Sequence, residues 1–308
     1  MKRLAALAIG LGLLSAACAD QAGTIGTVGS PTGAGTPPAT SEPPTTPPSS
    51  TPSSPTSPTA TPTSPASPTG EEFTYEVWFA YGDRLFVTKR TEPFDPAVGH
   101  IALRTLLEGP GDAEGDAGLT TAIPAGVALN GLTIDDGVAT VDVTGQFDDA
   151  SGSLGERMRL AQAVYTITQF PSVTGVRFEL DGEPVESFGS HGVLISEPQT
   201  REDYEDLLPA ILVESPLIGQ PVSSPVTISG TANVFEATVS IRILDADGNV
   251  IANTFTTATC GTGCRGEYAA GVQFSVGHDQ MGMIEVFESS AQDGTPINVI
   301  PIPVLLSA

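Results

Sequence analysis

The sequence predicts an α+β domain over 71–196 and an all-β sandwich over 212–308, with a connector at 197–211 between them. Three observations predict this order. Strand and helix patterns alternate in the first region, strand patterns stand alone in the second, and 29–70 is a low-complexity stretch of Pro, Thr, Ser, Ala and Gly. The folded region is long enough to form two separate hydrophobic cores.

The N-terminus has the layout of a secretory signal. Lys2 and Arg3 precede an apolar run at 4–14 that is too short to span a membrane, and LSAAC follows at 14–18. This order resembles the lipobox of bacterial lipoproteins. The resemblance implies that residues 1–17 are a removable signal peptide and that Cys18 carries acyl chains such as palmitate on its thiol and amine. An ordinary signal peptide followed by a chance cysteine is the alternative.

The segment 18–70 is predicted to be a disordered linker behind this anchor. Glu42 is the one charged residue between positions 30 and 70, and prolines recur throughout. Such a segment buries too little apolar surface to offset its ordering entropy, and its prolines favour an extended polyproline II chain. Fully extended, it reaches on the order of 100 Å at about 3.1 Å per residue. It would lift a folded head off the membrane, into or through a cell wall; a passive linker is the alternative.

The charge balance excludes several kinds of partner. The chain has 12 basic and 36 acidic residues, which give a net charge of −24. A protein of this charge is repelled by nucleic acids and by anionic lipid headgroups. We therefore expect no nucleic-acid partner, and membrane contact only through the lipid anchor.

The first predicted domain opens with a hairpin and a helix. Aromatic and β-branched residues at 73–80 predict a strand, and 84–90 predicts its hairpin partner. Asp95 is a suitable N-cap for the following helix and Pro96 suits its first position. Gly109 ends this helix.

A polar, glycine-rich segment at 111–118 predicts a loop, and a second hairpin follows it. Its strands are predicted at 128–135 and 138–143, on either side of an Asp-Gly turn. Ser153 and Glu156 then fit the capping box of a second helix. The apolar stripe of this helix consists of Leu154, Met158, Ala161, Val164 and Tyr165.

A closing strand at 173–180 completes the order strand, helix, strand, strand, helix, strand. This order predicts a compact α+β unit with both helices on one face of a small sheet. Several short sequences in this region resemble the GerMN domain, the sporulation and spore-germination domain. They are EVWF at 76–79, EGP at 108–110, LTTAIP at 119–124, DGVATVD at 136–142, QAVYTITQF at 162–170 and VRFELDG at 176–182. The resemblance covers most of 73–195 and implies a fold similar to ring-building modules of secretion and sporulation complexes, with no catalytic residues.

The second domain is predicted from short strand patterns separated by turns. The runs lie at 225–232, 237–244, 250–257, 268–276, 282–289 and 297–305. Short strands at this spacing predict a β-sandwich. The sequences SGTANVFEA at 229–237 and VFE at 286–288 resemble the immunoglobulin-like (Gmad-type) domain of bacterial spore-germination proteins. The resemblance implies a surface lipoprotein of a Gram-positive-type bacterium, in which such a domain follows a GerMN domain.

Two cysteines remain if Cys18 is lipidated. Cys260 and Cys264 enclose three residues, two of them glycine, so the chain can turn tightly enough to join the sulfurs. In an oxidising compartment this predicts a small loop-closing disulfide. Half of a metal site is the alternative, but zinc needs two further Cys or His ligands at suitable spacing. The histidines of this chain are scattered singly.

Other patterns offer weak support for chemistry. Ser153 lies in a partial nucleophile-elbow sequence, Asp245 begins a partial calcium loop, and paired carboxylates such as Glu202-Asp203 suggest glycoside hydrolysis only loosely. A helix cap, a hairpin turn and a solvated connector are the simpler interpretations. We expect no catalytic residue, no metal site and no cofactor.

Three classes of function remain. A non-catalytic surface lipoprotein that binds an envelope protein is the first interpretation, and a cell-wall polysaccharide-binding lipoprotein is its alternative. Aromatic residues make up only 6% of the chain, which weakens the second class because sugar sites stack on aromatic rings. An enzyme is the third class.

Overall fold

The computed structural model describes residues 70–308. The predicted signal peptide, Cys18 and the linker up to residue 69 lie outside this range. Within it, the helices are all too short or too polar to cross a bilayer.

The first domain combines nine strands with three α-helices and a 3₁₀ helix at Gly145–Asp148. The helices are α1 (Val98–Glu108), α2 (Asp112–Asp116) and α3 (Gly152–Ile167). The strands are β1 (Glu72–Tyr81), β2 (Arg84–Pro93), β3 (Leu119–Thr120), β4 (Leu129–Asp135), β5 (Val138–Val143), β6 (Gly175–Leu180), β7 (Glu183–Pro184), β8 (Ser187–Phe188) and β9 (Val193–Leu194). The predicted α+β class is confirmed, and each predicted strand and long helix has an observed counterpart.

The strands of this domain divide among separate sheets. One sheet has the order β2-β1-β3 and another has the order β4-β5-β6-β7, with β5 and β6 parallel. Helix α1 contacts β1 and β4, and α3 contacts β1, β2 and β6, so each helix touches both sheets. The prediction that both helices lie on one face of a single small sheet is therefore wrong in this detail. The apolar stripe predicted for α3 did not reveal these contacts, because Glu156, Arg159 and Gln162 are buried too. With these polar residues buried, nearly every side of the helix faces the protein interior.

Two predicted helix caps are wrong. Helix α1 begins at Val98 with Ala97 as its N-cap, and the Asp95 carboxylate accepts a hydrogen bond from the Ala97 N–H at 2.7 Å. Asp95 therefore closes a turn before the helix. Helix α3 begins at Gly152 without a side-chain cap, and Ser153 is exposed in its first turn.

The predicted loop at 111–118 contains the short helix α2, which a buried carboxylate stabilises. Glu114 accepts a hydrogen bond from the Gly111 N–H at 2.8 Å and pairs with the Arg90 guanidinium at 2.7 Å. Burial opposes ionisation of Glu114, but hydrogen bonds from Arg90 and Thr88 outweigh it and lower its pKa. The helix thus depends on a side chain from β2, which the local sequence does not reveal.

The second domain is the predicted immunoglobulin-like sandwich. Its strands are β10 (Ile211–Ser215), β11 (Pro221–Val222), β12 (Val226–Ala232), β13 (Thr238–Leu244), β14 (Val250–Thr257), β15 (Gly266–Val272), β16 (Gln280–Ser289) and β17 (Pro296–Leu306). One sheet has the order β10-β12-β15 and the other has the order β11-β17-β16-β13-β14. Alternate residues such as Ile228, Ile241 and Ile302 are fully buried between the two sheets.

The connector is packed against the first domain instead of being solvated. It contains a 3₁₀ helix at Glu202–Leu207, in which Tyr204 and Leu207 are buried. Both oxygens of Asp206 accept hydrogen bonds from Arg157 of α3 at 2.7 Å. The connector therefore forms part of the folded head.

Candidate functional site

The structure does not bring the residues with weak chemical patterns together. Ser153 is exposed at the start of α3. The Asp245 carboxylate accepts hydrogen bonds from the N–H groups of Asp247 at 3.0 Å and Asn249 at 2.8 Å, which closes the β13–β14 turn. In the connector, Asp203 bonds to Thr200 while Asp206 pairs with Arg157. Within 70–308, no group of three or more His, Cys, Asp or Glu residues is arranged to hold a metal.

A carboxylate–serine–histidine cluster was not anticipated from the sequence. The Glu156 side chain is fully buried and accepts hydrogen bonds from both the N–H and the Oγ of Ser190 at 2.9 Å. His191 Nδ1 lies 3.2 Å from the carboxylate oxygens and 3.1 Å from Ser190 Oγ. Burial opposes ionisation, yet these bonds lower the pKa of Glu156 to about 2.

The geometry of this cluster indicates a structural role and not a catalytic one. In a nucleophilic triad the serine and the carboxylate bond to different ring nitrogens of the histidine. Here both contact Nδ1, and the Ser190 hydroxyl donates to Glu156 itself. A Cβ at Gly189 would lie 2.2 Å from the Glu156 carboxyl carbon, so the loop approaches closely only because it has glycine there. The cluster fastens the 189–191 loop to α3.

The Cys260 and Cys264 sulfurs are bonded in the structure, with Cα atoms 5.7 Å apart. The loop carries the chain from β14 in one sheet to β15 in the other. Gly263 N–H donates to the Asn233 side chain at 2.9 Å, and Thr262 N–H donates to the Val234 carbonyl at 3.0 Å. The cysteines therefore close a structural turn at the edge of the sandwich.

A crevice of about 240 Å³ lies where the connector meets both domains. The Arg201 guanidinium stacks over the Trp78 and Tyr165 rings at 5.5 and 4.9 Å. It also donates to the Tyr165 carbonyl at 2.9 Å. On the sandwich side, Arg265 donates to the Pro209 carbonyl at 2.6 Å. These arginines are used to join the parts of the head.

The outer face of the three-stranded sheet is polar. Alternation along β12 and β15 turns small or hydrophilic residues to solvent, and we call this surface the polar outer face. Its residues are Glu214, Thr227, Ser229, Thr231, Glu267, Ala269 and Gly271. Glu214 is half-buried at its margin, and its side chain forms no hydrogen bond or ion pair with the described residues.

The outer face of the five-stranded sheet is apolar. The same alternation turns large hydrophobic residues outward across β13, β14, β16 and β17, and we call this surface the apolar outer face. Its apolar residues are Leu244, Val250, Phe255, Met281, Met283, Phe287, Pro301, Pro303 and Leu305, and the register also places Ser240, Arg242, Asn253 and Glu285 on this face. Phe255 is 70% exposed, Met281 55% and Val250 53%. A surface of this composition on a folded domain is typical of a protein-binding site.

One ion pair lies within the apolar outer face. Arg242 and Glu285 are cross-strand neighbours joined through Arg242 Nε, and the guanidinium lies 5.1 Å from the Phe287 ring centre. The pair is therefore neutral, and it covers Phe287. Acidic residues border the face near the strand ends, namely Glu236, Asp245, Asp247, Asp279 and Glu288.

Two models of known protein families match the chain. A model described as sporulation and spore germination matches 80–186. A model described as an immunoglobulin-like domain of bacterial spore germination matches 210–295. A search of curated protein sequences gave no match.

Solved structures also resemble parts of the chain. The first GerMN domain of the Bacillus subtilis sporulation protein GerM is 22% identical, with 42% of this chain and 99% of that chain covered and a TM-score of 0.36. A candidate lipoprotein from Clostridium perfringens is 21% identical, with 44% and 93% covered and a TM-score of 0.33. The tandem GerMN domains of GerM are 14% identical, with 77% and 61% covered and a TM-score of 0.38.

Proposed function

We propose that this chain, which carries a GerMN domain of sporulation and spore germination followed by an immunoglobulin-like domain of bacterial spore germination, is a non-catalytic, lipid-anchored binding protein. It is held at the extracytoplasmic face of a Gram-positive-type cell membrane and binds an envelope protein. The observation that carries the binding role is the apolar outer face, where Phe255, Met281 and Val250 are each more than half exposed. Exposed apolar area of this kind lowers solubility. Its burial against a partner is favourable, with a transfer free energy of about 25 cal/mol per Å² of apolar surface.

The aromatic residues favour a protein partner over a wall glycan. The single tryptophan, Trp78, is 3% exposed and packs under Arg201, so it offers no open ring for a sugar to stack on. Tyr165 is buried beside it. The strongly exposed aromatic residues in the described part are Phe94, Phe235 and Phe255, which lack the polar atom that sugar-binding aromatics often add.

The anchor is proposed from the N-terminal sequence. Replacing Cys18 with Ala should release the protein from the membrane fraction or stall its processing, because acylation requires the cysteine. A matched Cys260→Ser/Cys264→Ser variant keeps Cys18 and should stay in the membrane fraction. Normal processing and full membrane retention of the Cys18→Ala variant would contradict the anchor.

The binding role is tested with the full chain in its own membranes. After mild detergent extraction, the wild-type protein should migrate in a native gel as a complex larger than the monomer. Replacing Phe255 and Met281 together with Ser should return it to the monomer position, because the main exposed apolar area is lost. The control is Thr227→Ala/Glu267→Ala on the polar outer face, which should leave the complex intact. A wild-type protein that migrates as a monomer would contradict the binding role.

A further inference from the structure

The five-stranded sheet ends at an unprotected edge. Strand β14 is the last strand in its sheet order and pairs only with β13 within that sheet. Its sequence, VIANTFTT, has eight residues with no charge and no proline. Proteins usually protect such an edge with lysine, proline or a covering segment, because its free N–H and C=O groups pair readily with another strand.

The opposite edge of the same sheet is protected. Strand β17 contains Pro301 and Pro303, which have no N–H to offer, and its end pairs with β11 through Leu305 and Leu306. The Gly219 N–H also donates to the Pro303 carbonyl at 2.8 Å. One edge of the sheet is therefore closed in the usual ways while β14 is left open.

The open edge and the apolar outer face are continuous. Val250 and Phe255 belong to β14 and are both outward and exposed. Strand β14 also lies near β15 of the other sheet, and close to its end Thr256 Oγ1 donates to the Ala269 carbonyl at 3.0 Å. A strand added beside 250–255 would thus extend the sheet and place its alternate side chains beside Phe255.

The acidic charge of the second domain indicates which residues an added strand would contain. The region 212–308 contains Arg242 and Arg265 as its basic residues against nine acidic ones. Arg242 is neutralised by Glu285, and Asp245 and Asp247 lie in the turn that leads into β14. A second copy of this chain would bring the same acidic border against its own, so like charges would oppose the pairing. A segment with basic residues at its ends would be attracted.

We infer that the partner supplies an extended segment that pairs with β14, with apolar residues on the outward positions and Lys or Arg at its ends. This inference rests on the proposed binding function and adds where and by what chemistry the partner binds. Main-chain hydrogen bonds would provide affinity, alternate side chains would contact the apolar outer face, and the basic ends would meet the acidic border.

The test is residue-specific photocrosslinking with the full chain in intact cells. A benzophenone amino acid replaces Phe255 in one variant and Thr227, on the polar outer face, in the matched control. Position 255 should yield an adduct with another protein, and mass spectrometry of the joined peptide should find Lys or Arg on both flanks of an apolar, alternating stretch. Position 227 should yield no such adduct.

A second substitution tests the edge itself. Adding Val250→Lys to the position-255 variant should reduce the adduct at least about tenfold, because an edge lysine blocks strand addition and repels a basic partner. Adding Thr227→Lys instead should leave the adduct unchanged.

Several results would overturn the inference. An adduct with a second copy of this chain, with an acidic or uncharged peptide, or at equal yield after Val250→Lys would each contradict it. If position 255 gives no adduct while the native-gel complex persists, the binding function stands and the β14 site is wrong. If the wild-type protein forms no complex, the binding function itself fails, and the inference fails with it.

Discussion

The two outer faces of the sandwich differ although the two sheets share one core. The polar outer face carries Thr227, Ser229 and Thr231 at alternate positions of β12. The apolar outer face carries Phe255, Met281 and Leu305 at the corresponding outward positions of its own strands. Both surfaces are built from strands with the same two-residue alternation, so the fold does not require the difference.

This contrast separates residues that hold the domain together from residues that are available to a partner. Inward residues of both sheets are fully buried, as Ile228 and Ile241 show. Outward residues experience solvent, where the ordinary outcome for an antiparallel sheet is polar. An apolar outward set on one sheet only is thus the part of the sandwich that stability does not explain.

The largest expected effect is loss of core packing on either side of the sandwich. Ile228→Ala and Ile241→Ala should each lower the free energy of unfolding by about 2 to 5 kcal/mol, because each removes buried methyl groups and leaves a cavity. Phe255→Ala should change it by less than about 0.5 kcal/mol, because the ring is 70% exposed. Denaturant unfolding followed by circular dichroism measures all three. A Phe255→Ala penalty as large as those of the isoleucines would mean that the apolar outer face is structural.

The disulfide gives the next largest effect because it closes the edge where the two sheets meet. Replacing Cys260 and Cys264 with Ser should lower the free energy of unfolding by at most about 2 kcal/mol, since the closed loop is short. Protein from cells, digested without reductant, should contain one peptide two hydrogens lighter than its reduced form. Free thiols at both positions in that material would contradict the bond. Complex formation should be retained, because the loop does not belong to the apolar outer face.

The class of each domain could be predicted because it depends on local pattern. Alternation at 225–232 and 250–257, and the Asp-Gly turn between β4 and β5, gave strands close to those observed. The packing of α3 could not be predicted in the same way. Arg159 is 1% exposed and donates to the carbonyls of Ala122 and Asp149 at 3.0 and 2.9 Å, partners that lie far from it or outside its helix. A polar residue in a helical pattern is ordinarily assigned to the solvent side, so the local pattern does not reveal that Arg159 is buried.

The candidate site could be predicted less well. The outward positions of β13, β14, β16 and β17 are apolar in the sequence, but a fully buried strand has the same composition. The sheet order shows that β14 is an edge, and the exposure of Phe255 and Val250 shows that its outward side is open. The cluster around Glu156 could not be predicted either, because Ser190 and His191 are 34 and 35 positions away from Glu156 in the chain.

Reversing the acidic border should weaken the partner on one face only. Asp245→Lys/Asp247→Lys should lower affinity roughly tenfold, about 1.4 kcal/mol, and most of the change should appear as slower association at low salt. Glu267→Lys on the polar outer face is the matched control and should have little effect. Association rates of the purified complex at low and high salt measure this. Equal effects of the two substitutions would show that net charge, and not the border of the apolar outer face, attracts the partner.

The ion pair within the apolar outer face should have a smaller effect. Arg242→Ala should lower the free energy of unfolding by about 1 kcal/mol, because Glu285 is left unpaired and only 19% exposed. Arg242→Met/Glu285→Met should restore stability, since no unpaired charge remains. The double variant should also self-associate more than wild type in sedimentation, because the apolar outer face then has no charge to interrupt it. A double variant as unstable as Arg242→Ala would mean that the pair contributes through packing.

The smallest expected effect concerns Glu214, at the margin of the polar outer face. Burial, the largest cause, raises the pKa of Glu214 above its ordinary 4.5. The charges of Glu76 and Glu267 also raise it, while those of Lys89 and Arg201 lower it. A carboxyl whose pKa is raised by folding is destabilising when ionised, and the penalty appears as pH rises from the unfolded value through the folded one. Below the ordinary value the group is protonated in both states, and the penalty is absent.

Glu214→Gln should therefore raise the free energy of unfolding at pH 7 by less than about 1 kcal/mol, and the melting temperature with it. Near pH 3 it should leave both unchanged. Asp247→Asn, exposed in the β13–β14 turn and not among the charges that act on Glu214, is the control and should change little at either pH. Thermal unfolding of each variant at the two pH values measures the difference. A gain of the same size at pH 3 would show that Gln improves packing and that the charge of Glu214 is not the cause. A loss at pH 7 would show that the Glu214 carboxylate has a favourable interaction, and the polar outer face would then include a charged group that contributes to stability.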